Sequence, residues 1–363
     1  MPTFYDKWLG MWDLEEKERK EARKVIHEEE LEWVETQQDS RTALMVAPET
    51  GFRTWGTVVL LSEIEAGHKS GKHKHGEEVL HIIEGSGCTI VNGRRYNWAE
   101  NSTIVIPFGA EHQHFNTGDK KVKFVSAMAP HLEFFAGVAK IQQFENWGKI
   151  DKIPSVPLSP DGFEENGERR ICMTIDQAEW STAGEGGGVN KSPKLTKEEV
   201  ETMEQLKDGP IVLGTQAGYQ NVALPPGGHH APGPSFMAIR RQINGFHNKE
   251  VEMSSIMRDY AHTASGVHAH MEAMLYMLKG EGYALVDDDT KVEWHKGSCV
   301  HVQGPQTKHQ HFNMSDDYSE MIRIAPGFRY FFEDVAHEEF PYLYYGVRPD
   351  LLRAFEQERE RAR

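Results

Sequence analysis

A chain of 363 residues with 38% hydrophobic content is longer than one core usually fills, so two domains are expected. Its formal charge of −16 repels phosphate backbones and anionic lipid heads, and no Lys/Arg cluster with interleaved aromatics offsets it; nucleic acid is excluded as an expected partner. No apolar run approaches the roughly 20 residues of a membrane span, the opening MPTFYDKWLGMWDLEEK lacks the features of a secretory signal, and Cys88, Cys172 and Cys299 are far apart without a CxxC, so a cytoplasmic chain with reduced thiols is expected.

In chain order, residues 1–40 read as a helical arm. The charged stretch 13–38 predicts a helix that Asp13 and Glu16 could open as a cap pair. It is either a solvated, ion-paired surface helix or an arm that packs its Val25, Leu31, Trp33 and Val34 stripe on the other half of the chain or on a second subunit. Residues 41–150 read as β-structure: WGTVVLLSEI, VLHIIEG, CTIVNG, STIVIPFG and KVKFVSAM are rich in β-branched residues and separated by turn residues at the spacing of a sandwich or barrel. Residues 151–235 are rich in Pro, Gly and charge and form a linker or insertion, with one helix from Thr196 where Thr196 and Glu199 make a capping-box pattern. Its Pro/Gly segment PPGGHHAPGPS carries His229 and His230, read as an exposed turn, with a loop over a barrel mouth as the alternative. Residues 236–335 repeat the β-pattern, and 336–363 end the chain with a helix from Pro349.

The two β-segments are copies. SGKHKHGEEVLHIIEGSG at Ser70 aligns without a gap with SGVHAHMEAMLYMLKGEG at Ser265. Trp98 then faces Trp294, EHQHFN faces KHQHFN, and MAPHLEFF faces IAPGFRYFF, with shifts of one or two residues. The fold class expected is an all-β core of two tandem barrels flanked by an N-terminal helical arm and a C-terminal helix.

The 19 histidines gather around these copies. In a strand, residues i and i+2 project to one face, so His73 and His75, and likewise His268 and His270, can set two imidazoles side by side pointing into a barrel. A third comes later, His112 and His309, 37 and 39 residues after the second His of each HxH. Three neutral imidazoles on one side of a metal leave open positions opposite, the geometry a non-haem Fe(II) or similar divalent ion needs to bind substrate and dioxygen. Glu78 can be a fourth ligand, a group orienting a ligand histidine, a general base for a substrate hydroxyl, or a plain surface glutamate. Glu77 points the other way and is expected in solvent. His81, His295 and His301 read as structural or surface residues, and Met271, Met274 and Met277 as core packing.

These motifs resemble those of the cupin superfamily, G(x)5HxH(x)3,4E(x)6G and G(x)5PxG(x)2H(x)3N. In the first copy Glu78 satisfies E(x)6G, with two residues after His75 instead of three or four, and Pro107, Gly109, His112 and Asn116 match the second motif. In the second copy Ala273 stands where Glu78 does and Gly304 and Gln306 replace Pro107 and Gly109, while His309 and Asn313 remain. The resemblance implies jelly-roll, double-stranded β-helix barrels.

Two cupins with an N-terminal arm and a long central insertion are similar to the gentisate 1,2-dioxygenase group, which includes salicylate 1,2-dioxygenase. This implies an aromatic ring-cleaving dioxygenase with Fe(II) on His73, His75 and His112 and with His114 near the substrate; His268, His270 and His309 form the second candidate site. The partners implied are a small aromatic substrate and dioxygen. That group usually places an Arg after its first HxH to hold a substrate carboxylate, whereas Leu80 and His81 stand here, so a neutral phenol or catechol-like substrate is as well matched as a benzoate. A decarboxylase or lyase using Mn(II) or another divalent ion together with Glu78 is the alternative, and a non-catalytic small-molecule binder the third. Because open barrels expose sheet edges, a homodimer or homotetramer is expected.

Overall fold

The computed structural model describes residues 2–177, 181–182, 211–212, 234–235, 245–259, 267–287, 290–305, 307–317, 319–328 and 343–346. Side chains of 181–182, 211–212, 234–235, 254–259, 268 and 343–346 lie outside the description. So do the segments expected to be helical from Thr196 and from Pro349, together with His229, His230 and Gln306.

Each copy is a pair of antiparallel sheets. In the first, one sheet runs in the order Cys172–Met173, Thr103–Ile106, Glu78–Glu84, Val122–Met128, Val58–Ile64, Arg41–Val46. The facing sheet joins Gln142–Glu145, Lys72–Lys74, His112–Asn116, His68–Lys69 and Gly148–Lys149, and Ser86–Val91 pairs both with His112–Asn116 and with Arg94–Ala99. The second copy repeats this plan, with Ala273–Lys279 between Cys299–Val302 and Ser319–Pro326 in one sheet and Val267–Ala269 beside His309–Asn313 in the other.

Alternation along one strand explains how the barrels pack. In Glu78–Glu84, Leu80 and Ile82 point inward with Trp98 and Phe124 into the first barrel's own core. Val79 and Ile83 point outward, where they meet Met45, Leu61, Met274, Tyr276 and Ile324 in a core shared by both barrels. Strands buried on both faces read as continuous apolar runs, which VLHIIEG and AMLYMLKG do. Met274 and Tyr276 are the second barrel's contribution to the shared core and Leu275 and Met277 its interior, so the methionine-rich run is core packing; Met271 is buried as well.

The arm differs from the expected helix over 13–38. Helices span Phe4–Leu9 and Met11–Glu21, the first capped by Thr3. Beyond Glu21 the chain becomes extended, because Val25–Ile26 pairs with the second barrel, Val25 opposite Val300 and Ile26 opposite Cys299. Tertiary pairing overrides the helical propensity of the charged stretch: of the expected stripe, Val25 contacts the other half of the chain through a strand instead of a helix, Leu31 and Trp33 pack in the shared core, and Val34 bridges Thr42 of the first barrel and is exposed. The segment before the second barrel does the same in return: Cys172 lies opposite Ile104 and Met173 opposite Thr103, on the first barrel's edge. Residues placed by sequence in a linker therefore complete the first barrel's sheet, and each barrel's edge is covered by the chain leading into the other.

Candidate metal centre

Two adjacent strands of the first barrel bring His73 and His112 opposite each other. The ring centroids of His73, His75 and His112 stand 4.4 to 4.9 Å apart. All three side chains are buried, and they can present ligand nitrogens within 4.8 Å of one another. Their second nitrogens fix what they present. His75 Nδ1 lies 3.0 Å from the Gly76 carbonyl and His112 Nδ1 3.0 Å from the Ala110 carbonyl. A carbonyl can only accept, so each Nδ1 carries a proton and Nε2 is left with its lone pair turned inward. Nε2 of His73, His75 and His112 are all buried with no hydrogen-bond partner.

Glu78 joins them by strand parity, since it shares the inward face with Leu80 and Ile82. Its Oε2 is 3.5 Å from His75 Nε2 and 3.7 Å from His112 Nε2. Against the cost of burial, His75, His112 and His114 hold this carboxyl far below the ordinary range. Burial depresses His73 to about 3 and His112 well below its usual value, while at His75 the Glu78 carboxylate outweighs burial and raises it. Three buried Nε2 atoms converging beside a carboxylate suit a divalent cation.

His114 sits beside the cluster, its ring 5.6 Å from that of His112. Its Nδ1 is 2.8 Å from Thr89 Oγ1, which also accepts the Trp98 indole N–H at 2.9 Å. Burial lowers it to about 4, so it is neutral near pH 7. A cavity of ≈ 360 Å³ opens onto His73, His75, Glu78 and His114. Leu60, Phe124, Met128 and Ile141 supply apolar wall, and Asp39, which sequence reasoning passed over, supplies a carboxyl. Burial first, then the nearby Glu78 charge, raises Asp39 to about 7, against a Ser62 hydrogen bond that lowers it. Only the fold brings Asp39 within reach of the histidines, and no local motif marks it.

The second barrel repeats the backbone register, with His268 opposite His309. The His268 side chain lies outside the described residues. His270 Nε2 is 3.1 Å from His309 Nε2, and their Nδ1 atoms meet the Met271 and Thr307 carbonyls as in the first barrel. Two groups differ. Ala273 replaces Glu78, and Ala284, opposite His311, stands where Thr89 stands opposite His114.

Glu77 corrects an expectation. It is buried, because the face opposite Glu78 is covered by the other barrel instead of water. Its carboxylate accepts the N–H groups of Lys249, Glu250 and Val251 at 2.8 to 3.1 Å. Glu272 is its counterpart, accepting the Trp55 N–H at 2.9 Å and lying 2.6 Å from His301 Nε2. His301 is thus a buried structural residue, as is His81, 3.0 Å from Thr103 Oγ1. His295 lies at the surface, stacked on His27 and 3.0 Å from Glu29.

Residues 60–128 match the family model described as Cupin domain. No curated protein sequence matches the chain. Among solved structures, the chain is similar to salicylate 1,2-dioxygenase from Pseudoaminobacter salicylatoxidans with gentisate, at 11% identity and TM-score 0.56 over 91% of this chain and 81% of that one. A second structure of that dioxygenase aligns at 12% identity and TM-score 0.54 over 81% and 77%. An oxalate decarboxylase aligns at 11% identity and TM-score 0.54 over 84% and 77%. The likeness establishes the fold: two cupin barrels in tandem, a bicupin, resembling the gentisate and salicylate dioxygenase group.

Proposed function

We propose that the first barrel is a metal-dependent oxygenase that opens a hydroxylated aromatic ring with dioxygen, with Fe(II) held by His73, His75 and His112. The observation that carries this reading is the convergence of three buried Nε2 atoms without hydrogen-bond partners, two of them on histidines, His73 and His75, that line a cavity with an apolar wall. Fe(II) bound there would supply a redox-active centre for activating dioxygen toward an electron-rich ring.

The protein's own groups then have separate tasks. Glu78, kept ionised by its histidine neighbours, fits either as a fourth ligand or as the acceptor of a phenolic proton. His114 is neutral and tethered through Nδ1 to Thr89, so its Nε2 edge is left to hydrogen-bond a substrate oxygen. Leu60, Phe124 and Met128 shield the ring face from water, and the exposed Ile141 borders the cavity. The second barrel, without Glu78 and Thr89 equivalents, is the weaker candidate. We further read the protein as a cytoplasmic homo-oligomer; no helix among the described residues is long and apolar enough to cross a membrane.

Glu78 also favours a second reading, a Mn(II)- or Fe(II)-dependent decarboxylase or lyase acting on a small acid, in which the carboxylate is the essential proton carrier. An oxygen electrode separates the two. Protein loaded anaerobically with Fe(II) is expected to consume oxygen in proportion to an added hydroquinone, aminophenol, gentisate or salicylate. No uptake with any of them sinks the oxygenase, and carbon dioxide release from oxalate without oxygen consumption establishes the alternative.

A further inference from the structure

The first barrel's cavity has a distinct charge pattern. Two of its lining side chains are carboxyls, Asp39 and Glu78, and among the described residues none of its lining groups is a Lys or Arg. Asp39 is 8% exposed, and its Oδ1 is buried with no hydrogen-bond partner. A buried acceptor left unsatisfied by the protein is costly unless something else donates to it.

Asp39 is also held firmly in place. The Thr36 hydroxyl accepts the Gln38 and Asp39 N–H groups at 3.1 and 3.0 Å, and the Thr36 N–H donates to the Asp39 carbonyl at 2.9 Å. The Gln38 carbonyl accepts the Gly71 N–H at 2.7 Å, tying this turn to the strand that carries His73. Gly71 is required there: a Cβ would stand 2.6 Å from Gln38 Oε1 and 2.8 Å from the Gln37 carbonyl oxygen. The turn thus fixes a carboxyl in the wall of the cavity that His73, His75 and His114 also line.

We propose that Asp39 determines the substrate class of this site, selecting an aromatic ring with one hydroxyl at the histidine end and a second hydrogen-bond donor, a hydroxyl or an amino group, at the Asp39 end, and rejecting rings with a carboxylate there. The inference rests on reading the His73–His75–His112 centre as the substrate site. A ring carboxylate at the Asp39 end would face that carboxyl with no lining Lys or Arg to offset it, whereas a hydroxyl or amine can donate to it.

The test is binding, which does not require turnover. Protein loaded with redox-inert Zn(II) is titrated calorimetrically at about pH 8.5, where Asp39 is ionised, with hydroquinone, 4-aminophenol and 4-hydroxybenzoate, which differ only in the group opposite the hydroxyl. The first two are expected to bind about tenfold or more tighter than the third, as juxtaposed like charges imply. In Asp39→Asn the carboxamide can donate to a carboxylate, and the preference is expected to shrink to about threefold or less. Equal binding of the three probes by the wild type, no binding of any of them, or a preference unchanged in Asp39→Asn overturns the proposal. The wild-type ranking stands as a test even if the variant does not fold. If the ranking holds and collapses in Asp39→Asn while no aromatic supports oxygen uptake, the ring-cleavage reading falls and this one survives; ring cleavage without the ranking does the reverse.

Discussion

Glu77 and Glu78 are neighbours in the chain and serve different parts of the molecule: Glu78 reaches 3.5 Å from His75 Nε2 inside the first barrel, while Glu77 accepts the Val251 N–H at 3.1 Å in the second. The period-2 alternation of an extended chain, acting where both faces are buried, gives two adjacent carboxylates opposite roles. The strand that frames the metal centre is thereby also the strand that fastens the barrels together.

Glu77→Ala would leave the N–H groups of Lys249, Glu250 and Val251 buried without an acceptor. Stability to urea should fall by about 3 kcal/mol or more, since each orphaned donor costs about 1–3 kcal/mol. A change within about 0.5 kcal/mol is what an exposed glutamate would give, and it would contradict this role of Glu77.

His112→Ala should abolish metal binding at the first barrel and lower oxygen-dependent turnover by more than about 100-fold, a loss larger than disturbing an outer-sphere group brings. Metal analysis of His73→Ala beside His268→Ala checks which barrel is loaded. Unchanged metal content and activity in His73→Ala would move the chemistry to the second barrel.

Thr89→Ala removes the hydroxyl that holds His114 Nδ1 and reproduces the residue found at Ala284. Turnover should fall by about 10–100-fold while metal content stays at the wild-type level, as for other groups that orient rather than ligate. Equal loss of metal would instead make His114 part of the binding set.

Asp39 should govern stability of the metal-free protein between pH 4 and 7. Its carboxyl is raised from 3.8 to about 7 by burial and by facing Glu78. The folded state therefore holds this proton more tightly than the unfolded chain does; the group's contribution is full below the unfolded value and is lost as pH rises through the folded one. The loss is at most about 4 kcal/mol at about 1.4 kcal/mol per pKa unit. In chelated protein, Asp39→Asn should gain stability relative to the wild type as pH rises from 4 to 8, and a pH-independent difference in urea midpoint would contradict this.

The N-terminal helices leave Phe4, Trp8, Leu9, Met11 and Trp12 between 52% and 69% exposed, apolar side chains that a second subunit would cover. Light scattering should report a species larger than the 41.3 kDa chain, and Trp8→Glu with Trp12→Glu should shift it toward the monomer. A 41 kDa wild type refutes the oligomer.

The sequence by itself determined what depends on short-range geometry and on repetition: the duplication, the β-barrel class, and the convergence of His73, His75 and His112, because an HxH on a strand fixes two side chains on one face and a third histidine recurs at a matched distance in both copies. Burial of Met271, Met274 and Met277 was legible because their spacing does not keep the strict i, i+2 alternation of a one-sided face. Which surface each strand's other face meets is a long-range matter. Glu77 looked solvated because alternation says only that it points away from Glu78, and the presence of the second barrel there is decided by packing. The stretch 13–38 looked helical because its composition favours a helix, and the free edge at Val300 drew Val25 into a sheet instead. Asp39, in a turn with no motif, became part of the site only when the chain before the barrel folded back over the histidines. Local period and propensity are written in neighbouring residues, whereas edges, interfaces and cavity walls arise from contacts between residues far apart in the chain, and only the tertiary structure decides those.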